Sequence, residues 1–477
     1  MADTGAAPFA VRGRGMRVRL GMSKGGSVAG QGHGHRQGSG AVSSEARTRL
    51  TAIGHLLSGN FLNAGIMLVS VAMVARSLGP EIYGIMVMVL SYNRVVERIL
   101  RFESWQPVIR FAVQEEGENS VGRLQRLYAY GLMLDVGAAT VAALSAVGLA
   151  LLFGPAFGLK TLHIQLIAIY SVATLFNIAG VPTAALRLSG QFKMLAYAQV
   201  VANILRIAFA FVCMIEGAGV IAFMVAWTAA QAIGSIIVFA AGFRALKMMG
   251  IPNPLRASRR GLTRDFPGFF GFACSTNLSL TLRVITTEAD SLFVGAVAGT
   301  SAAAVYYLAK RIAKVATQVG AQVQAVVYPD VARMWAKGDI AGFRTATLQV
   351  QIALAAVGGA MLAAAYLFGP MLIRLGPGAA YQAAYILLVT QLVAVMLMLH
   401  AAPSRSAMLA MNESWQVLAI SALGTAIFVA VAAYAIPRYG PIGGNVAHII
   451  LGVVTAGLLD LGWLRKSRIR LVAAQAA

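Results

Sequence analysis

The sequence is short of charge. Only 12% of its 477 residues are Asp, Glu, Lys or Arg, about half the ~25% of an ordinary soluble domain. A water-soluble surface on a chain of this size cannot be built from so few. Acid is scarcer still, with 17 Asp and Glu against 39 Lys and Arg and a net charge of +22. On a polar domain that balance would point to nucleic acid. Here the basic residues stand between long apolar runs and form no face, so they read as the topological charges of a membrane protein and nucleic acid is excluded as partner. Cysteine is nearly missing. Cys213 and Cys274 lie in apolar segments, which excludes a disulfide framework or thiolate metal site and leaves two small buried hydrophobes. The Gly-His-Gly-His run at His33 and His35 reads as low complexity, so no metal is expected. With no Walker A motif or Gly-rich nucleotide loop either, no cofactor is expected.

What is there is hydrophobe, 58% of the chain. Residues 1–49 are the exception: rich in Gly, Ser and Arg, with no apolar core and no signal-peptide stretch, they are expected to be a disordered basic tail. From Leu50 the chain reads as twelve spans of ~20 apolar residues, the length that crosses ~30 Å of hydrocarbon. The first six are Leu50–Ala75, Ile82–Leu100, Tyr128–Phe153, His163–Thr183, Leu195–Met214 and Val220–Phe243. The second six are Pro267–Phe293, Ala302–Tyr328, Ala346–Phe368, Gln382–His400, Trp415–Ile436 and Ile442–Leu464. Placing the N-terminus inside puts twenty Lys and Arg on the cytoplasmic side. Only Arg76, Lys160, Arg374 and Arg438 are then outside. That asymmetry predicts cytoplasmic termini.

The chain also repeats. Pro182-Thr183 to Gln191 aligns with Pro403-Ser404 to Asn412, Leu152–Pro155 with Leu367–Pro370, Gly79 with Gly299, and Gly217 with Gly440. All these matches fall near one offset of about 220 positions, and an even number of spans per repeat gives both halves the same sense, related by an axis along the membrane normal. The expected architecture is an all-α integral membrane protein, with two parallel six-helix lobes (50–243 and 267–464) around a central cleft. A basic linker (244–266) joins the lobes, and a C-terminal tail (465–477) completes the chain.

A charge at the bilayer centre costs about 2.5–3.5 kcal/mol on insertion scales, so each intramembrane ion needs a reason. In span eight Tyr307, Arg311, Lys314, Gln318 and Gln322 share one helical face, with Lys310 beside them. Such a stripe faces water, an anion or partner carboxylates; the alternative to a ligand cavity is an ion-pair network with Glu288 and Asp290. Span seven sets Asn277, Thr281 and Glu288 on one face and Arg283 with Asp290 on the next. There an Arg283–Asp290 or Asp290–Lys310 pair is an equally good structural explanation. Arg206 has no acid in its own span, which favours a cavity-facing cation. Arg94, Glu97 and Arg98 are expected to snorkel to the interface. Asp135 and Asp460, near the cytoplasmic ends, either hold helices together or relay an ion, as Glu288 and Asp290 also can. Asn60, Asn63, Asn445 and His448 read as interhelical hydrogen-bonding groups or sugar contacts, the hydrogen-bonding role being favoured.

Three stretches resemble Wzx-type oligosaccharide flippases: Ala75-Arg76-Ser77-Leu78-Gly79-Pro80-Glu81-Ile82-Tyr83-Gly84; Pro182 to Ala196 with Gln191-Phe192-Lys193; and Asp290 through Gly299, Tyr306, Ala309 and Arg311 to Pro329 and Arg333. The resemblance implies a MATE-like fold of the multidrug, oligosaccharidyl-lipid and polysaccharide exporter superfamily. It also implies alternating-access flipping of a polyprenyl-pyrophosphate-linked oligosaccharide across the bacterial inner membrane. The product would serve lipopolysaccharide or exopolysaccharide assembly, beside membrane lipids and a polysaccharide polymerase. The rivals are a drug antiporter of the same superfamily, a major-facilitator porter, and a membrane glycosyltransferase. The porter lacks its usual basic loop, since Arg101-Phe102-Glu103-Ser104-Trp105 stands there. The transferase would need a larger external domain than the connection Gly369–Tyr381 provides.

Overall fold

A computed structural model describes the backbone of residues 38–101, 104–115, 120–154 and 159–476, with most of the side chains from Asn63 onward. The chain divides into residues 1–51 and 52–477. In the first unit the backbone is helical from Gly38, so helix begins earlier than the tail expected over 1–49. The histidine run at His33 and His35, and the side chain of Asn60, lie outside the described residues.

The second unit is built of helices. In chain order they are α1 (Gly38–Leu100), α2 (Trp105–Gln114), α3 (Ser120–Phe153), α4 (Thr161–Phe176), α5 (Gly180–Leu188), α6 (Phe192–Ile215) and α7 (Val220–Met248). After the short α8 (Leu262–Asp265) come α9 (Phe269–Val284), a π-helical turn over Ile285–Ala289, and α10 (Asp290–Ala298). The last five are α11 (Thr300–Lys337), α12 (Ile340–Leu375), α13 (Ala384–Ala410), α14 (Ser414–Tyr439) and α15 (Pro441–Ala476).

Among the described residues, nine helices are long and apolar enough to cross a membrane. Twelve separate spans are therefore not all recovered by that measure, for physical reasons. The first two run together across a kink at Gly79. Span seven is broken into α9, the π-turn and α10, and span eight carries Lys310, Arg311 and Lys314 within two turns. The spans that miss the mark are the ones whose polar groups need a purpose. Helix α12 also runs straight through Gly369-Pro370 to Leu375, so the connection expected at Gly369–Tyr381 is shorter than the sequence suggested.

The repeat is written in the backbone. Gly79 (φ 72°, ψ 168°) opens the second half of α1, and Gly299 (φ 92°, ψ 168°) opens α11. A Cβ is strained at such a positive φ, which is why glycine occupies both places. Gly190 (φ 73°) pairs in the same way with Asn412 (φ 64°), and Gly217 (φ 62°) with Gly440 (φ 59°). Left-handed turns thus recur at about 220 positions' separation, the mark of a repeated helical unit.

Helices α3 to α7 pack among themselves, as do α11 to α15. A large apolar core runs from Val71 in α1 through Trp227 in α7 to Leu451 in α15. At the end of the bundle that carries Gly79 and Gly299, the two halves touch directly. Arg76 Nη1 donates to the Leu375 carbonyl at 3.1 Å, Tyr381 Oη to that of Ala75 at 2.8 Å, and Tyr83 meets Tyr381 edge-on with centroids 6.2 Å apart. Toward the other end, Asn277 Nδ2 donates to the Ile99 carbonyl at 3.1 Å and Thr281 Oγ1 to that of Arg98 at 3.3 Å. Cys213 and Cys274 are free and only half-buried; the expected full burial does not hold, because neither helix position is enclosed on all sides.

Candidate functional site

Between the two groups of helices lies a cavity of about 930 Å³. Its walls come from α1, α4, α6 and α7 on one side and the π-turn, α10, α11, α13 and α15 on the other. Its charge is lopsided. Seven cations line it (Arg94, Arg98, Arg101, Arg206, Lys310, Arg311, Lys314) against two carboxylates, Glu97 and Glu288.

The pairing of these groups decides what the cavity can hold. Arg94 Nη1 donates to Glu288 and to the Tyr307 hydroxyl, each at 3.1 Å. Arg101 donates to Glu97 at 2.9 Å, and the same carboxylate accepts from Asn177 at 2.6 Å. Lys310 donates to both oxygens of Asp290, at 2.6 and 2.5 Å, and to the Thr287 carbonyl at 2.9 Å. Asp290 is buried and also accepts from Tyr306 Oη at 2.7 Å and His448 Nε2 at 2.8 Å. Lys310 is thus spoken for.

Arg206, Arg311 and Lys314 are different. Arg206 reaches only neutral acceptors, Asn203 at 3.1 Å and Gln231 at 3.0 Å, and lies over the Trp227 ring at 4.3 Å. Arg311 lies over the Tyr307 ring at 4.7 Å, with the Met67 sulfur as its hydrogen-bond neighbour. The Nε atoms of both arginines are buried without an acceptor. Neither they nor Lys314 has a carboxylate within ion-pair distance among the described residues. Taking a cation out of water without a counter-ion is costly, so the buried Arg206 and the part-buried Arg311, with the exposed Lys314 adding its charge to the same cavity, favour an anion there.

The structure sorts the sequence candidates. It brings Arg206, Tyr307, Lys310, Arg311, Lys314 and Glu288 to one cavity. Asn277 is not there; it ties α9 to the end of α1. The reason is the π-turn, which adds a residue to the helical period and carries Glu288 off the face that Asn277 and Thr281 occupy. Gln318 lies beyond the lining, its Oε1 buried and unpaired, while the side chains of Arg283 and Gln322 fall outside the described residues. Asp290 stands behind the wall, paired with Lys310 of the lining, the pairing weighed as a structural alternative. Asp135 of α3 is buried against the start of α5, where it accepts from Val181 N at 2.8 Å. Asp460 joins α15 to α12 and α13 through Gln351 (2.8 Å), His400 (2.9 Å) and Ser404. Neither lines the cavity. Asn445 is an interhelical tie to Leu387 and Thr390 of α13.

By sequence alone Arg94 belongs at the interface, whereas the structure turns it inward to Glu288. Trp227 and Gln231, which the structure places in the lining, are not among the residues that the sequence singles out. Their signal is visible in hindsight: an aromatic and an amide four apart in an otherwise apolar span, on a helix that packs against the one bearing an unpaired arginine.

A family model described as polysaccharide biosynthesis protein matches residues 73–386. The inner membrane protein YghQ of Escherichia coli (strain K12) is 25% identical over 346 residues, which is 71% of this chain and 95% of that protein. Among solved structures, the lipid II flippase MurJ in an inward closed conformation is similar at TM-score 0.68 and 16% identity, covering 87% of this chain and 91% of that one. An inward-facing multidrug resistance MATE family transporter of the MOP superfamily gives 0.66 and 16%, covering 87% and 96%. At that identity the likeness speaks for the fold. This chain belongs to the polysaccharide biosynthesis protein family and has the helical fold of membrane transporters and flippases.

Proposed function

We propose that this protein flips an oligosaccharide, joined to a polyprenyl anchor through a pyrophosphate, from the cytoplasmic to the external leaflet of the bacterial cytoplasmic membrane. One observation carries the reading: Arg206, Arg311 and Lys314 face a shared cavity with no carboxylate partner among the described residues. A pyrophosphate supplies the charge they lack, and guanidinium groups bind phosphate oxygens in pairs. Amides at Asn177, Gln199, Asn203 and Gln231 offer hydrogen bonds to sugar hydroxyls. A volume near 930 Å³ suits a headgroup of a few sugar rings, with the lipid tail left in the bilayer.

Family membership supports a polysaccharide cargo, and the inner-membrane relative supports the location. The excess of Lys and Arg assigns both termini and the Arg259 loop to the cytoplasm. By that assignment the Arg76–Leu375 and Tyr381–Ala75 contacts seal the external side and the Asn277–Ile99 contact the internal one. Alternating access breaks one set at a time. Glu288 in the lining and Asp290 behind it are where a coupling ion would act on the cavity, and the flipped product goes to a polymerase outside. An antiporter for cationic drugs fits poorly, since seven lining cations repel such cargo.

The test is complementation in a strain lacking the native gene. R311A and K314A should abolish export of the surface polysaccharide at normal protein level, with R311K keeping part of it because charge survives but the bidentate fork does not. Export at the wild-type level in R311A/K314A would refute the reading.

A further inference from the structure

A second basic site stands outside this cavity, and we infer that it binds an anionic phospholipid of the surrounding membrane. It is a groove of about 680 Å³ between the first turns of α12 and the far end of α15. Its cations are Arg344, Arg465 and Arg468. None has a carboxylate in reach among the described residues, although nearby Lys466 is paired with Glu413 and Arg470 is stacked over Trp335.

The position along the helix identifies the layer. Helix α15 starts at Pro441 and rises ~1.5 Å per residue, so about 20 residues carry it across the ~30 Å of hydrocarbon. That point is Leu461. Arg465 and Arg468 come one and two turns later, at the depth of the lipid phosphates. Helix α12, which packs against α15 and α13, brings Arg344 to the same level from its own first turns.

Spacing supplies the rest. Leu461, Leu464, Arg465, Arg468, Ile469 and Val472 succeed one another within the helical period, so they make one stripe on α15. Leu461 remains 67% exposed one turn before Arg465, an apolar wall on the hydrocarbon side of the arginines, and Ile469 and Val472 (62% and 56% exposed) continue the stripe past them. The floor is rigid: Phe343 and Trp463 are buried with centroids 6.3 Å apart, and Trp335 packs on Phe343 at 5.0 Å. Their chain neighbours Arg344 and Leu464 consequently turn outward. A free phosphate has no use for the apolar wall, and a zwitterionic lipid carries a positive group into three arginines. A glycerophospholipid with a net negative headgroup satisfies both halves of the groove.

The experiment is native mass spectrometry of the detergent-purified full chain titrated with phosphatidylglycerol, with phosphatidylcholine and glycerol 3-phosphate as separate arms. Phosphatidylglycerol adducts should survive activation that strips phosphatidylcholine, and glycerol 3-phosphate should not compete. Apparent affinity should fall roughly fivefold for each of R344Q, R465Q and R468Q, and on the order of a hundredfold for the triple variant. The L461S/L464S variant should weaken binding with all three charges intact. R256Q/R259Q/R264Q, which removes the same charge from the linker, should leave it unchanged. Equal retention of the two lipids, an unaffected triple variant, an equal loss in the linker control, or competition by glycerol 3-phosphate would each overturn the assignment. The readout does not involve cargo, so it stands or falls apart from the flippase reading.

Discussion

Arg94 and Glu288 meet at 3.1 Å across the cavity, joining the second half of α1 to the π-turn between α9 and α10. Their two positions are far apart in sequence and belong to opposite groups of helices. The same guanidinium holds the Tyr307 hydroxyl, so a single contact fixes the wall on which Arg311 stacks.

That pairing makes the two single variants unequal. E288Q frees the charge of Arg94 in the cavity, whereas R94Q leaves an acid facing the proposed anionic cargo. Export should fall further in R94Q than in E288Q. The double exchange R94E/E288R restores the pair and should recover part of the loss. Each single variant should lower thermal stability by about 1–3 kcal/mol, read from unfolding in detergent. Equal export in the two single variants would remove the electrostatic role given to this pair.

Asp290 is the hub of a closed network with Lys310, His448 and Tyr306. Removing one member of a buried pair costs about 3–5 kcal/mol, because the other is left charged and unpaired. D290N and K310M should each destabilise by that order, and the double variant by less than their sum. A double-mutant cycle on unfolding measures the coupling; strict additivity would contradict it.

The end of the bundle at Gly84 has no room. A Cβ there would come within 1.9 Å of the Thr300 carbonyl oxygen, so G84A must push the start of α11 away. The Arg76–Leu375 and Tyr381–Ala75 contacts should loosen. In a C213S/C274S background, A384C, at a position that is fully buried, should react faster with an impermeant maleimide when G84A is present. Unchanged reactivity would show that this end does not open there.

Much of the fold was legible because bilayer physics writes it in long apolar runs and paired glycines. The cations of span eight could be read from their spacing alone, since no lipid-facing helix tolerates three charges in two turns. What was lost lay in backbone irregularity and in tertiary choice. The π-turn over Ile285–Ala289 shifts the register inside span seven, so a uniform period put Asn277 and Glu288 together when they are apart. Arg94 sits close enough to a span end to snorkel, and only the position of Glu288 on another helix pulls it inward. Trp227 was invisible because a tryptophan in an apolar span is unremarked until Arg206 is found lying on it.

The central claim is that Arg206, Arg311 and Lys314 hold the phosphates of the cargo. The most direct measurement uses purified protein in liposomes with a fluorescent polyprenyl-diphosphate-linked sugar confined to one leaflet, tracking its exposure to a quencher added on the other side. The wild type should move the lipid, and R206Q/R311Q/K314Q, folded and inserted to the same extent, should leave it in its starting leaflet. Transfer by the triple variant at the wild-type rate would contradict the account.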